Sequence, residues 1–171
     1  KPLPYWIDAM LDDDAAYFAT VLGQEKIFYY GFPDLLPEYA ASYWNGNSYV
    51  KDPDSQNAIG WQSFSSEQRV LTREMMTYFS TLIDAEFKET TDFNKSNTFA
   101  FNNNLMKESL GAGGYANFPS KESDGNDVYI DLTDGIKLPK PLMGNDDLSL
   151  FLHETMHGFG LKHPGYGVLP L

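Results

Sequence analysis

Five apolar or aromatic runs of strand length, one amphipathic helix that opens on a capping box, and a second helix near the end of the chain predict an α+β fold. The runs are bounded by glycine, proline and asparagine turns, and nothing repeats at a fixed period. A chain of 171 residues suits a single domain with a sizeable core.

Tyr5 to Leu22 carries Ile7, Met10, Leu11, Phe18, Val21 and Leu22 at three- and four-residue spacings, which suits one helix or two short ones. Asp12-Asp13-Asp14 interrupts it and reads as a solvated face or turn, because a calcium loop needs alternating ligands and a glycine. Lys26 to Phe32, between Gly23 and Pro33, predicts a strand. Pro33 to Ser63 reads as a long tyrosine-rich loop. Ser65 and Gln68 then form a capping box, followed at helical spacing by Leu71, Met75, Tyr78 and Leu82, with Val70, Phe79 and Ile83 widening the stripe.

Ala85 to Thr91, Asn97 to Asn102, Tyr115 to Phe118 and Asp127 to Leu132 complete the strands. Gly111-Ala112-Gly113-Gly114 lacks the strand and helix context of a phosphate loop, and the sequon Asn94-Lys95-Ser96 is too short a pattern to carry a role. Asn145 or Asp146 caps the last helix, which buries Leu148, Phe151, Leu152, Thr155, Met156 and Phe159.

That helix carries the chemistry. All three histidines of the protein fall within His153-Glu154-Thr155-Met156-His157-Gly158-Phe159-Gly160-Leu161-Lys162-His163. His153 and His157 are four residues apart, so both imidazoles leave one helical face and can share an ion. Gly160 lets the chain leave the helix in a left-handed conformation and bring His163 back to the same point. Three imidazoles leave a fourth tetrahedral position for water, the arrangement of a catalytic zinc, and Glu154 can lie beside it as a general base.

The composition narrows the alternatives. A formal charge of −12 disfavours nucleic acid and anionic membranes as partners. With no cysteine, a metal can be held only by nitrogen and oxygen. No run approaches a membrane span, and the N-terminal residues lack a signal-peptide pattern; Lys1 in place of a start methionine predicts processing or a longer parent chain.

The eleven-residue motif resembles that of the metzincin zinc endopeptidases, and within them the serralysins. Three stretches carry the likeness: Pro164 directly after the third histidine; Gly113-Gly114-Tyr115-Ala116-Asn117-Phe118-Pro119, similar to the family's edge strand; and Phe64 to Gln68 opening a long helix, with Ile27 to Pro33 upstream. The resemblance implies a metzincin-like upper lobe: a twisted, mostly parallel sheet with one antiparallel edge strand and two long helices, the second carrying the zinc motif. It implies Zn2+ held by His153, His157 and His163, Glu154 as catalytic base, and a protein or peptide substrate added to the edge strand at Tyr115, Ala116 and Asn117. That strand reads equally well as a plain sheet edge.

The family's methionine turn and calcium-binding repeats lie beyond the third histidine, yet all six methionines here precede His163 and only eight residues follow it. The expectation is therefore one domain over 1–171 that lacks the lower lobe and is poorly active alone. Ca2+ would enter only through the missing C-terminal region. The implied partners are a C-terminal fragment of the same protease and a proteinaceous inhibitor, in a secreted, extracellular setting. The competing reading is a non-catalytic metal-binding or regulatory chain.

Overall fold

The computed structural model describes residues 10–12, 26–45, 47–52, 54–105, 113–132 and 146–163. Most of the expected helical stretch from Tyr5 to Leu22, the Asn145 cap and Pro164 lie outside them. In chain order the elements are β1 (Ile27–Gly31), a 3-10 turn (Glu38–Ala41), β2 (Ser42–Trp44), β3 (Tyr49–Lys51), β4 (Gln62–Ser63), α1 (Ser66–Leu82), β5 (Glu86–Glu89), β6 (Thr98–Asn104), β7 (Gly114–Ala116), β8 (Val128–Asp131) and α2 (Asp146–Gly158). This is an α+β arrangement, and all five expected strands and both expected long helices form.

The main sheet runs β5-β1-β6-β8-β7, with β4 attached to β6. Pairing is parallel from β5 through β8, and β7 is the antiparallel edge strand. Two features correct the sequence reading. The stretch from Pro33 to Ser63 is not a plain loop, since it contains the 3-10 turn, the β2–β3 hairpin and β4. β4 is also a second antiparallel partner, at Gln62↔Asn103 and Ser63↔Asn102. Both corrections concern strands of only two or three residues, too short to show a hydrophobic period in the sequence.

α1 starts where its capping box places it: the Gln68 N–H donates to Ser65 Oγ at 3.2 Å, and the Ser65 N–H to Gln68 Oε1 at 2.8 Å. Its buried face is Gln68, Leu71, Thr72, Met75, Met76 and Phe79. Val70, Tyr78, Leu82 and Ile83 are exposed, which shifts the expected stripe round the helix. Thr72 can lie inside because its hydroxyl donates to Gln68 O at 2.8 Å. α1 and α2 cover one face of the sheet, and between them and the strands Phe28, Tyr30, Phe99, Phe101, Val128, Ile130 and Phe151 form a continuous core.

β6 is buried at every residue, as a central parallel strand should be. Its last residues, Asn102, Asn103 and Asn104, each have partners. Asn103 exchanges amide hydrogen bonds with Gln68 of α1 at 2.7 and 3.0 Å. On the opposite face the Trp61 indole donates to Asn102 Oδ1 at 2.9 Å, and Asn104 Nδ2 donates to Gln56 O and to the Tyr115 hydroxyl, both at 3.0 Å. The segment before α1 is thereby fastened across the sheet's second face.

That face also holds Asp127, which is fully buried and accepts a hydrogen bond from the Tyr129 hydroxyl at 3.3 Å. Burial drives its carboxyl well above the ordinary aspartate range, and the neighbouring Asp124 pushes it further the same way. A raised folded pKa means that stability is lost as pH rises from the unfolded value toward the folded one. The expected result for Asp127→Asn is a melting temperature that gains on the wild type as pH rises above the ordinary aspartate range; a pH-independent difference in thermal scans would contradict it.

Candidate metal centre

α2 is fixed before it presents its ligands. Phe151 and Thr155 are fully buried, Leu148, Leu152 and Met156 pack beside the core, and the Thr155 hydroxyl is satisfied by Phe151 O at 2.8 Å. Gly158 meets the sheet directly, because a Cβ there would lie 2.6 Å from Phe99 Cε1. The Asn126 side-chain amide donates to Gly158 O at 2.6 Å and secures the helix end.

The helix then stops in a Schellman arrangement. Gly160 takes φ 86°, its N–H bonds to His157 O at 2.8 Å, and the Leu161 N–H bonds to Met156 O at 3.1 Å. The chain reverses as Gly160 predicts, and His163 returns to the exposed face of α2.

His153, His157 and His163 each offer a nitrogen, and these atoms lie within 4.8 Å of one another. Nε2 of His153 is 3.1 Å from Nε2 of His157 and 2.8 Å from Nε2 of His163. His157 Nδ1 is 2.5 Å from Leu161 O. A carbonyl oxygen can only accept, so the proton sits on Nδ1 and leaves Nε2 with its lone pair facing the other two rings. One proton can bridge one nitrogen pair at a time, whereas a cation satisfies all three nitrogens together. Tetrahedral ligation at about 2.0 to 2.1 Å asks for nitrogens about 3.3 Å apart, and small ring rotations reach that spacing. The donor set therefore fits a divalent metal ion that favours imidazole.

Electrostatics favour the binding form. Partial desolvation, then the neighbouring His157 and His163, lower the His153 pKa, which keeps its imidazole neutral further into acid. Glu154, between the two helical ligands, is buried, and desolvation raises its carboxyl to about 7 against a smaller opposing influence from His163. It lies under β7: a Cβ on Gly114 would stand 3.0 Å from Glu154 Cγ and 2.9 Å from Tyr129 O. Only a residue without Cβ lets strand and helix approach so closely.

β7 pairs with β8 through Tyr115↔Tyr129, with flanking bonds from the Asn117 N–H to Asp127 O and from the Asp131 N–H to Gly113 O, both 2.9 Å. The parity of an antiparallel ladder turns the backbone groups of Gly114 and Ala116 outward and those of Tyr115 toward β8. The Tyr115 ring stacks on Tyr129 with centroids 4.8 Å apart, and its hydroxyl donates to Asn57 Oδ1 at 2.5 Å. Asn117 Nδ2 donates to Asp124 O at 2.9 Å. Among the expected strand residues, Ala116 thus presents its backbone to the edge, while the Tyr115 side chain ties the strand to the far face. Phe118, not singled out from sequence as a site residue, is 38% exposed and packs edge-on against His157 with centroids 5.5 Å apart. Its signal was its place two residues beyond Ala116, on the side of the strand that faces the metal centre.

Among the described residues no other group of histidine and acidic side chains converges as a metal site, and no helix is long and apolar enough to cross a membrane. The sequence matches no known protein-family profile and no curated protein. What the described residues contain at this point is three histidines close enough to hold one metal ion, with a buried glutamate beside them, under the edge of a mixed sheet.

Proposed function

We propose that the chain is the catalytic part of a secreted zinc endopeptidase of serralysin-type metzincin character. The observation that carries the reading is the convergence of His153, His157 and His163 with Glu154 buried next to them. The antiparallel edge strand beside α2 and the mostly parallel sheet support the family resemblance. His153, His157 and His163 would hold the zinc, which when bound would supply Lewis-acid polarisation of the scissile carbonyl and of the attacking water. Glu154 accepts the proton of that water on its carboxylate and returns it to the departing amine nitrogen. The outward backbone groups of Gly114 and Ala116 bond an extended peptide as an added strand and hold it along the site.

Metal analysis and a fluorogenic peptide assay test this together. One zinc per chain is expected, removed by a chelator and absent from His157→Ala, since that change deletes a ligand and also the tie to Leu161 O. Wild-type protein that takes up no zinc would end the proposal at its first step. Zinc uptake with hydrolysis equally absent from wild type and Glu154→Gln, even beside a C-terminal partner fragment, would favour the non-catalytic metal-binding reading.

A further inference from the structure

His163 sits outside α2, so its position depends on the turn that precedes it. Every backbone N–H from Phe159 to Lys162 is hydrogen-bonded. Those of Phe159, Gly160 and Leu161 use acceptors on α2 itself. The remaining bonds come from the far end of the chain: the Asp12 N–H donates to Gly160 O at 2.7 Å, and the Lys162 N–H donates to Met10 O at 2.8 Å. They frame an antiparallel bridge between Leu11 and Leu161. The two bonds straddle Leu161, whose carbonyl oxygen receives His157 Nδ1. The same short segment therefore fixes the residue next but one to His163 and the acceptor that sets the His157 tautomer.

We propose that Met10–Asp12 is a strap that positions His163 and His157, so that this segment sets how tightly the three histidines hold a metal ion. These residues are positioning elements: they act through the Gly160–Lys162 turn and do not touch the ion. The inference rests on the metal reading of the histidines and is independent of catalysis. Without the strap the turn keeps its α2 bonds but loses its outer partners, and the third ligand must be ordered at the moment of binding. Outer partners that orient ligands typically change metal affinity about 10- to 100-fold. Displacing Met10–Asp12 by a competing strand would weaken the hold on metal without altering any of the three histidines.

Cobalt(II) is a suitable probe, its affinity read by competition with a chromophoric chelator and its ligation by the visible absorption bands of a tetrahedral site. Asp12→Pro deletes the donor to Gly160 O, while Leu11→Pro places the same ring where the N–H points away from the turn. Cobalt affinity about tenfold weaker in Asp12→Pro, with Leu11→Pro near wild type, is the expected result. Equal affinities in wild type and Asp12→Pro overturn the strap, as does an equal loss in both proline variants. Linkage supplies a second measurement on unaltered protein: metal must slow exchange of the Asp12 and Lys162 amide protons by the same factor that the strap adds to affinity. Exchange unaffected by metal overturns the proposal. Wild type that takes up no cobalt overturns the metal reading and the strap with it, which separates that failure from failure of the strap alone.

Discussion

On the proposed endopeptidase reading, replacing Glu154 by glutamine should lower peptide hydrolysis about a hundred- to ten-thousandfold while zinc stays bound, because the change would remove the proton acceptor and keep the shape of the side chain. The measurement is kcat/KM on zinc-loaded protein beside metal content by mass spectrometry. A variant that retained wild-type turnover would remove Glu154 from the chemistry. The same substitution has an opposite effect on stability in the metal-free protein. Burial raises the Glu154 carboxyl from 4.5 to about 7, so the folded state holds a proton that the unfolded state releases. Stability is complete below the unfolded value and declines as pH rises through the folded one. The full decline is about 3 kcal/mol. Metal-free Glu154→Gln should therefore show a flatter stability curve than wild type between about pH 5 and pH 8, measured by urea unfolding. Zinc should narrow the gap, since a neighbouring dication favours the carboxylate.

Phe99→Ala should cost about 3 to 5 kcal/mol, a large part of the roughly 5 to 15 kcal/mol that holds a domain together. Phe99 is fully buried on β6, with ring centroids 4.7 Å from Phe159, 5.8 Å from Phe28 and 6.3 Å from Phe101. It also lies against Gly158, one residue past His157. Gly158→Ala alone should destabilise by about 1 to 3 kcal/mol through overpacking against that ring and against Asn126 O at 3.3 Å. Combined, the two changes should be less harmful than their sum, because the new methyl enters the space the ring leaves. Additive losses in chemical denaturation would show that helix and strand do not meet at this point.

What could be read in the chain follows from how local each signal is. The convergence of the three histidines was legible because two are set by helical spacing and the third by one glycine, all within His153 to His163. The capping box at Ser65 and Gln68 was legible for the same reason. The partition of α1 was less so: Tyr78 and Leu82 are apolar enough to pass for core, and only the sheet decides that Thr72 and Met76 face inward instead. Which residues of β7 turn outward could not be read either, since that parity is fixed by the register with Tyr129 on another strand. The pairing of Asp12 with Gly160 spans almost the whole described chain and has no periodic trace.

The asparagine run in β6 has a consequence for how the sheet can go wrong. Strands slip most readily when one residue can substitute for the next, and three identical side chains in a row invite it. Here Asn102 and Asn104 meet Trp61, Gln56 and Tyr115 on one face, while Asn103 meets Gln68 on the other. A shift of one residue toward the C-terminus would carry Asn102 to the α1 side in place of Asn103 but bring Phe101 and Asn103 to the face of Trp61. It would also bring Ala100 to the layer that Phe101 now fills against Phe151. The polar end and the aromatic end of the strand thus reject the same error for different reasons. Alignment of β6 fixes β8, β8 fixes β7, and so an asparagine repeat far from the histidines determines which backbone groups stand at the edge above Glu154.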